Sequence, residues 1–300
     1  MSIPMYVTHK DPKAKPPLPL PPSEAKLKLL LENGKHDESF VQLVADMIAK
    51  HSLPYIIENG ELKDTLSIGE QHLKKFITVD DNMLAMKDDA RKMALCDYEV
   101  LIHGETGTGK ETIAKSMIGS RTGSIKAVNC AGFPTELIES ELFGHMKGSF
   151  TGAATDKDGL MSSARDGVMF LDEVGELPMN VQAKLLRALQ ERKIRKVGAN
   201  REEEINCKFV CATNQNLQAM VKEGTFRKDL YARICTLEIN ISPLRERLPD
   251  IEPICNSIDG GKEFFTIYKD SLLNGSLDLS LNVRSLLMYI HRHKVLGKIK

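Results

Sequence analysis

A lysine and two glycines with nucleotide-binding spacing lie between an apolar run and a helical pattern in "VLIHGETGTGKET". Gly104, Gly109 and Lys110 follow the pattern G-x4-G-K. Glycines let backbone N–H groups wrap a phosphate, the next helix N-terminus adds a favourable dipole, and the lysine reaches the β- and γ-phosphate oxygens. The predicted nucleotide-binding residues are Gly104, Glu105, Thr106, Gly107, Thr108, Gly109, Lys110, Glu111 and Thr112.

Two carboxylates end a second apolar run, in "VMFLDEVGE". Asp172 can hold Mg²⁺ directly or through water, and Glu173 can act as the base that orients the attacking water. A metal ligand is needed here because Glu111 occupies the position where Ser or Thr usually binds magnesium. The alternative is a strand that simply ends in acidic residues for solubility. The predicted nucleotide-binding segment upstream, residues 104–112, disfavours this alternative; we call that segment the phosphate loop. We therefore predict ATP and Mg²⁺ as cofactors, with Asp172 as the metal ligand.

Two asparagines also end apolar runs, Asn214 in "KFVCATN" and Asn129 in "AVNC". The amide of Asn214 can sense the γ-phosphate or hold the attacking water. Asn129 can hydrogen-bond Glu173 and hold it away from that water until a partner engages. Asparagine at a strand end is also a common cap or turn former, so both interpretations are open at this point.

The composition of the 300 residues is 42% hydrophobic and 27% charged, with 41 basic and 41 acidic side chains. This balance argues against strong non-specific nucleic-acid binding, which relies on an excess of Lys and Arg. The N-terminus has no basic-then-apolar signal pattern, and no apolar run approaches the ~20 residues of a membrane span. We expect a cytoplasmic protein without membrane contact, whose six scattered cysteines are reduced and buried.

The sequence pattern changes along the chain. Residues 11–22 are Pro-rich and predict an extended arm, and two helical patterns follow before residue 52. From about residue 76, short apolar runs alternate with helical patterns, which predicts a mainly parallel sheet covered on both faces. After "ISPLRERLPDI" the pattern is helical. We predict an α/β fold with an N-terminal segment over 1–75, an α/β subdomain over 76–244 and a helical subdomain over 245–300.

The stretch "GSFTGA" places a Phe-Thr pair between two glycines at residues 148–153. Glycines at both ends weaken regular structure, so the stretch predicts a loop apex. Taken alone, it favours a hairpin turn whose Phe150 folds back into the core.

Several blocks, in order, resemble one family, the AAA+ domain of bacterial enhancer-binding proteins, the ATP-dependent activators of sigma-54 RNA polymerase. The blocks include "GETGTGKE", "VNCAGFP", "ESELFGHMKGSFTGA", "MFLDEVGELP", "GTFRKDLYARI" and "ISPLRERLPDI", and they cover roughly residues 76–300. The resemblance implies an AAA+ P-loop NTPase core with a parallel sheet between helices, followed by a truncated small α-helical lid.

The resemblance also implies partners and their contact residues. In the family, a Gly-Ala-Phe-Thr-Gly-Ala loop touches sigma-54 in a nucleotide-dependent way, so sigma-54 and RNA polymerase holoenzyme are the expected partners. The corresponding residues are Gly148, Ser149, Phe150, Thr151, Gly152 and Ala153. Arg227 and Arg233 correspond to arginines that enter a neighbouring subunit's ATP site, which implies a ring, a hexamer in this family. Their alternative is ordinary ion pairing with Asp229 or Glu238.

The chain departs from the family at both ends. The first 75 residues are too short for the usual receiver domain, and their role is unknown. Leu296 and Lys300 stand where the family has a proline and a nucleotide-sensing arginine, and a lysine lacks the planar two-donor fork of arginine. The sequence leaves no room for a C-terminal helix-turn-helix, so we expect no DNA-binding domain in this chain. The chain is then a fragment, a protein that works from solution, or a relative whose target has changed, and the sequence alone does not separate these three.

Three hypotheses follow. The first is an ATPase that remodels sigma-54 holoenzyme. The second is an AAA+ ATPase that acts on another cargo, DNA or protein. The third is a non-catalytic, ATP-binding regulator that joins activator rings, which the truncated lid favours and the intact Lys110, Asp172 and Glu173 disfavour.

Overall fold

The computed structural model describes residues 55–58, 61–64, 68–119, 121–150, 152–273 and 282–297. The predicted Pro-rich arm and the two helical patterns after it lie outside the described residues. The chain divides into two compact units, residues 1–66 and 67–300. In the first unit, the described backbone is an antiparallel pair of short strands. The helix at residues 68–74 belongs to the second unit, which also contains the predicted site.

The strands of the two units alternate with helices along much of the chain, as the sequence predicted. The strands are β1 (Tyr55–Glu58), β2 (Glu61–Asp64), β3 (Val100–Gly104), β4 (Ile125–Asn129), β5 (Gly144–His145), β6 (Lys157–Asp158), β7 (Val168–Asp172), β8 (Lys193–Arg195), β9 (Glu202–Glu204), β10 (Lys208–Thr213) and β11 (Leu237–Ile241). The helices are α1 (Ile68–Lys74), α2 (Asp81–Ala94), α3 (Lys110–Ser116), α4 (Thr135–Phe143), α5 (Leu160–Ser163), α6 (Met179–Glu191), α7 (Leu217–Glu223), α8 (Lys228–Ile234), α9 (Ile251–Asn256), α10 (Gly261–Leu273) and α11 (Val283–Leu296).

A five-stranded sheet forms the centre of the second unit, in the order β11-β3-β10-β7-β4. Every neighbouring pair in this sheet is parallel. Parallel neighbours require crossover connections, and the helical patterns between the apolar runs supply them. Two short antiparallel pairs, β5 with β6 and β8 with β9, lie outside the central sheet. The predicted α/β fold with a parallel sheet is confirmed.

Alternate residues of the strands enter two different apolar cores. Leu101 and Leu171 are buried in a core with α4, α6 and α8, whereas Ile102 and Phe170 are buried in a core with α1, α2 and α3. This alternation follows from the two-residue period of a strand. Because helices cover both faces, the strand sequences are apolar at nearly every position, which is the signal that predicted the sheet.

The cysteines agree with the expectation of reduced thiols. All six are free, four of them buried and two, Cys96 and Cys235, partly exposed. Cys207, just before β10, and Cys211, within it, enter the same core. Burial raises the pKa of the Cys207 thiol to about 12.

A buried ion pair joins the segment after β11 to the core of the central sheet. Arg247 Nη1 lies 2.9 Å from Asp250 Oδ2, and the two side chains are 1% and 0% exposed. The carboxylate of Asp250 also accepts hydrogen bonds from the hydroxyl of Thr78 at 2.7 Å and from the N–H of Val79 at 2.6 Å. Arg247 donates to the carbonyl of Thr108, in the phosphate loop, at 3.2 Å. One pair therefore connects three distant segments.

Helices α9, α10 and α11 share a third apolar core, which includes Leu244, Phe264 and Leu286. The described part of the chain after residue 244 is thus mainly helical, as predicted. Among the described residues, no helix is both long and apolar enough to cross a membrane.

Removal of the Asp250 carboxylate should strongly destabilise the second unit. We expect Asp250→Ala to lower the free energy of unfolding by about 3–5 kcal/mol, because Arg247 is left as a buried charge without its partner. Urea unfolding followed by circular dichroism measures this. The control is Asp89→Ala, which breaks an exposed pair with Lys92 and should leave the urea midpoint unchanged. Equal effects of the two substitutions would contradict this account of the pair.

Candidate nucleotide site and Phe-Thr loop

The carboxyl ends of the central strands meet at one edge of the sheet. Asn129 of β4 is opposite Asp172 of β7, and His103 of β3 is opposite Thr213 of β10. Because the strands are parallel, the segments that follow them leave from this same edge. The phosphate loop, the acidic pair and Asn214 are therefore brought together from distant parts of the sequence.

The phosphate loop, between β3 and α3, is a compact turn that depends on two glycines. Gly107 and Gly109 have φ angles of 79° and 108°, a region that residues with a side chain rarely adopt. Between them, Thr108 is 1% exposed, and its hydroxyl donates to the carbonyl of Glu105 at 2.8 Å. The loop is thus closed by its own hydrogen bonds directly before helix α3.

Lys110, the first residue of α3, is 7% exposed and fixed by three acceptors. Its ammonium donates to the carbonyl of Gly104 at 2.8 Å and to that of Glu105 at 3.4 Å. It also lies 3.3 Å from Oε1 of Glu173. A buried cation needs such acceptors, and these hold it in contact with both the loop and the acidic pair.

Glu173 has an unusual backbone conformation and a fixed carboxylate. Its φ and ψ are 52° and 51°, the left-handed region, in which a non-glycine residue is strained. Oε1 contacts Lys110, and Oε2 accepts the N–H of Asn214 at 3.1 Å. Strain of this kind concentrates at functional sites. Both oxygens are therefore oriented by groups that the sequence analysis also assigned to the site.

Asp172 is half-buried, and its chemistry fits a magnesium ligand. Burial, followed by the neighbouring charge of Glu173, raises the pKa of Asp172. A carboxylate in this situation is stabilised by a nearby cation. Mg²⁺ is commonly held by one or two carboxylates together with substrate phosphates, so a single aspartate is sufficient. Within the described ranges, no group of three or more His, Cys, Asp or Glu side chains could hold a metal ion by itself.

The two asparagines make different contacts. The amide of Asn214 donates to the hydroxyl of Thr106 at 3.2 Å, so this residue touches both the phosphate loop and Glu173. The side-chain oxygen of Asn129 instead accepts the N–H of Ala131 at 2.9 Å and caps a short 3-10 helix. The described hydrogen bonds of the Glu173 carboxylate go to Lys110 and Asn214. The contact of Asn129 with Glu173 stays a prediction.

Glu111 and Thr112 lie on helix α3 just after the loop. The carboxylate of Glu111 pairs with Lys115 at 2.7 Å and is 63% exposed. The N–H of Thr112 donates to the carbonyl of Gly109 at 3.0 Å. Their direct role in nucleotide binding stays a prediction.

Sequence reasoning missed groups from the C-terminal helical segment that contact the phosphate loop. Arg245 donates to both carboxylate oxygens of Glu105, at 2.7 and 2.5 Å, and this pairing lowers the pKa of Glu105. A Cβ added at Gly107 would lie 2.7 Å from Oδ1 of Asn282, the N-cap of α11. Arg245 and Glu105 are 140 positions apart, so no local pattern indicates the pair.

The "GSFTGA" segment is a tight turn beyond β5. The N–H of Gly148 donates to the carbonyl of Ala153 at 2.9 Å, which closes the turn. Gly148 and Gly152 have φ angles of 78° and 102°, and a Cβ at either would meet nothing within 4 Å. The glycines are therefore required by backbone conformation and not by close packing. Thr151 lies outside the described residues.

Phe150 is half-buried and packs against His145, a side chain that is itself held in place. The two rings meet edge to face, with centroids 5.0 Å apart. His145 Nδ1 lies 2.7 Å from the hydroxyl of Ser140, on α4. The turn that the isolated pattern predicted is present, but Phe150 is not a member of the apolar cores of the described chain. Phe150 is instead partly exposed to solvent and contacts His145.

The two arginines of the "FRKDLYARI" block form ion pairs within their own chain. Arg227 forms a bidentate ion pair with Asp229: Nε donates to Oδ1 at 3.0 Å and Nη2 donates to Oδ2 at 2.7 Å. This is the ordinary ion pairing that the sequence analysis gave as the alternative to a role in a neighbouring subunit. Arg233 contacts Glu99, not Glu238, at 3.3 Å. Glu99 precedes β3 at the amino end of the strand, whereas Gly104 ends it, so about 16 Å separates them at a rise of ~3.3 Å per residue.

Comparisons with known proteins agree with this geometry. The model of the family described as "Sigma-54 interaction domain" matches residues 76–240. Regulatory protein AtoC of Escherichia coli K12 is 49% identical over 181 residues, which cover 58% of this chain and 39% of AtoC. Regulatory protein LuxO of Vibrio vulnificus is 42% identical over 234 residues, which cover 77% of this chain and 52% of LuxO. The chain thus spans about half or less of the length of these relatives.

Solved structures show the same fold. NtrX from Brucella abortus superposes with a TM-score of 0.63 at 22% identity, covering 89% of this chain and 60% of NtrX. NtrX has also been solved in complex with ATP, with a TM-score of 0.62. The family match covers more than half of the chain and confirms the resemblance found in the sequence blocks. This chain therefore belongs to the sigma-54 interaction domain family of AAA+ proteins, whose curated relatives include sigma-54-dependent transcriptional activators.

Proposed function

We propose that this chain hydrolyses ATP and uses the 148–153 loop to remodel sigma-54 RNA polymerase holoenzyme, so that promoter DNA opens. The observation that carries the proposal is the contact of Lys110 with Glu173, and of Glu173 with Asn214, in a chain of this family. These groups are the cation, the base and the polar sensor that phosphoryl transfer to water needs.

The chemistry follows from the contacts. Glu173 accepts the proton of the water that attacks the γ-phosphorus, and Asn214 orients that water or the γ-phosphate. Lys110 stabilises negative charge on the phosphate oxygens. Asp172 would hold Mg²⁺, which would supply further charge neutralisation at the phosphates. ATP and Mg²⁺ are thus the proposed substrate and cofactor.

Arg227 and Arg233 are proposed to act on the nucleotide of a neighbouring subunit. The position of Arg233 near the amino edge of the sheet supports this role, because the side chain cannot reach the phosphate loop at the opposite edge. An arginine that acts in trans requires a head-to-tail interface, and repeated head-to-tail interfaces close into rings. The proposed assembly is a ring, a hexamer by resemblance to the family.

The Phe-Thr loop is the proposed contact with sigma-54. Phe150 rests on His145 and not in a core, so exchange of this contact for one with a partner breaks little packing. Glycines at both ends let the turn change its backbone conformation. A nucleotide-dependent rearrangement of such a loop belongs to the order–disorder switches that hydrolysis drives.

Glu173→Gln should abolish hydrolysis and preserve nucleotide binding. Glutamine has the same size and still accepts the N–H of Asn214, but it cannot take a proton from water. We expect ATP turnover to fall at least about 100-fold in a phosphate-release assay. The control is Glu223→Gln, an exposed carboxylate at the end of α7. Unchanged turnover in Glu173→Gln would refute the assignment of the base.

Lys110→Ala should weaken ATP binding by about 10- to 100-fold, because it removes a charged hydrogen bond to phosphate. Isothermal titration calorimetry measures the dissociation constant. Lys115→Ala, on the same short helix but facing solvent in its pair with Glu111, is the matched control and should bind ATP normally. If both variants bind alike, the G-x4-G-K segment is not the phosphate loop.

Phe150→Ala should prevent complex formation with sigma-54. We expect the unmodified chain to co-elute with sigma-54 in ADP plus aluminium fluoride and not without nucleotide, and the variant to elute alone. Phe133→Ala is the aromatic control, since Phe133 is 38% exposed and lies outside the loop. Absence of a complex with the unmodified chain, in a preparation that binds ATP, would favour another cargo or the non-catalytic regulator.

A further inference from the structure

Glu99 is a buried carboxylate just before β3, at the sheet edge opposite the phosphate loop. Its side chain is 1% exposed. Its backbone carbonyl accepts the N–H of Leu237, which begins β11. A carboxylate buried to this degree needs charged or hydrogen-bonding partners, because its desolvation costs several kcal/mol.

The partners of Glu99 are two arginines that arrive from the ends of two helices. Nη2 of Arg192 lies 2.8 Å from Oε1 of Glu99, and Nη2 of Arg233 lies 3.3 Å from the same oxygen. Arg192 follows α6 in the left-handed conformation, with φ of 53°. Its other amino group donates to the carbonyl of Cys207 at 3.2 Å. Both amino groups of Arg192 are therefore fixed, one by Glu99 and the other by the carbonyl just before β10.

Arg233 is held at one amino group only. Its Nη2 also donates to the carbonyl of Leu189, at 3.2 Å. Its Nε is buried without a described hydrogen-bond partner, and the side chain is 39% exposed. Because Glu99 carries one negative charge and Arg192 and Arg233 carry one positive charge each, the three side chains together have a net positive charge. Arg233 is therefore oriented by Glu99 without losing the charge that would act on a phosphate.

We propose that Glu99 is a positioning residue that holds Arg233 in the orientation in which it meets the nucleotide of a neighbouring subunit. This inference rests on the trans role proposed above for Arg233. An arginine side chain has many rotamers, and a functional group is effective only when neighbouring contacts restrict it to the productive one. Glu99, with Leu189, supplies that restriction from within the chain that donates Arg233.

The test mixes variants that are defective on different sides of the subunit interface. Glu99→Gln keeps the size of the side chain and removes its charge. By itself it should lower ATP turnover about tenfold or more, because Arg233 is no longer oriented. Its ATP dissociation constant should be unchanged, since the phosphate loop lies at the other edge of the sheet.

The mixture with Glu173→Gln identifies the side of the defect. That variant lacks the base and keeps a normal Arg233, whereas Glu99→Gln keeps the base. In a one-to-one mixture, about a quarter of the head-to-tail interfaces join a normal site to a normal arginine, so turnover should rise to about a quarter of the unmodified level. A mixture of Glu99→Gln with Arg233→Ala should not rise above the low turnover of Glu99→Gln alone, because both variants are defective on the donating side.

Each outcome is decisive. Rescue by Glu173→Gln but not by Arg233→Ala supports the inference. Turnover of Glu99→Gln at or above the unmodified level overturns it, since the carboxylate would then be dispensable or restraining. Rescue by Arg233→Ala also overturns it. If Arg233→Ala is not itself rescued by Glu173→Gln, the proposed trans role fails, and that result is separate from the behaviour of Glu99→Gln.

A second variant guards against a folding defect. Glu99→Asp keeps the buried charge but is one methylene shorter, so the contacts with Arg192 and Arg233 lengthen. It should show an intermediate loss of turnover and the same pattern of rescue. A low turnover that no mixture rescues, in Glu99→Asp with an unchanged urea midpoint, would contradict a positioning role on the donating side.

Discussion

The parallel register of the central sheet is the constraint on which the other features depend. Because every strand of the central sheet runs in the same direction, all the carboxyl ends of the strands lie at one edge. Asp172 and Asn129 are opposite each other for this reason, and Lys110 reaches Glu173 from the loop after β3. An antiparallel arrangement of the same strands would separate these groups by the length of a strand.

The phosphate loop is also held from outside the sheet. Arg245 and Arg247, two residues apart, contact Glu105 and Thr108 of the loop. The buried pair of Arg247 with Asp250 connects the same segment to residues 78–80. A movement of the C-terminal helices must therefore either carry the loop with it or break charged contacts. This arrangement provides a direct physical connection between the helical segment and the candidate nucleotide site.

The sequence predicted the features that have a short-range signal. Alternating apolar and helical patterns indicated the sheet, and the spacing of Gly104, Gly109 and Lys110 indicated the loop. The partners of Glu99 and Arg245 were not predicted, because only the tertiary fold brings them together. Glu99 and Arg192 are 93 positions apart, and Arg245 and Glu105 are 140 positions apart. The support of Phe150 by His145 was also missed. A five-residue separation in a glycine-rich segment gives no periodic pattern from which a contact can be inferred.

The two edges of the sheet have different electrostatic tasks. At the carboxyl edge, Asp172 and Glu173 place negative charge beside one lysine, which suits a bound cation and an attacking water. At the amino edge, Glu99 is outnumbered by Arg192 and Arg233, which suits an approaching phosphate. A single subunit cannot bring these edges together, because β3 separates them by about 16 Å. Two subunits stacked head to tail would bring them together, so this complementarity supports the ring proposed above.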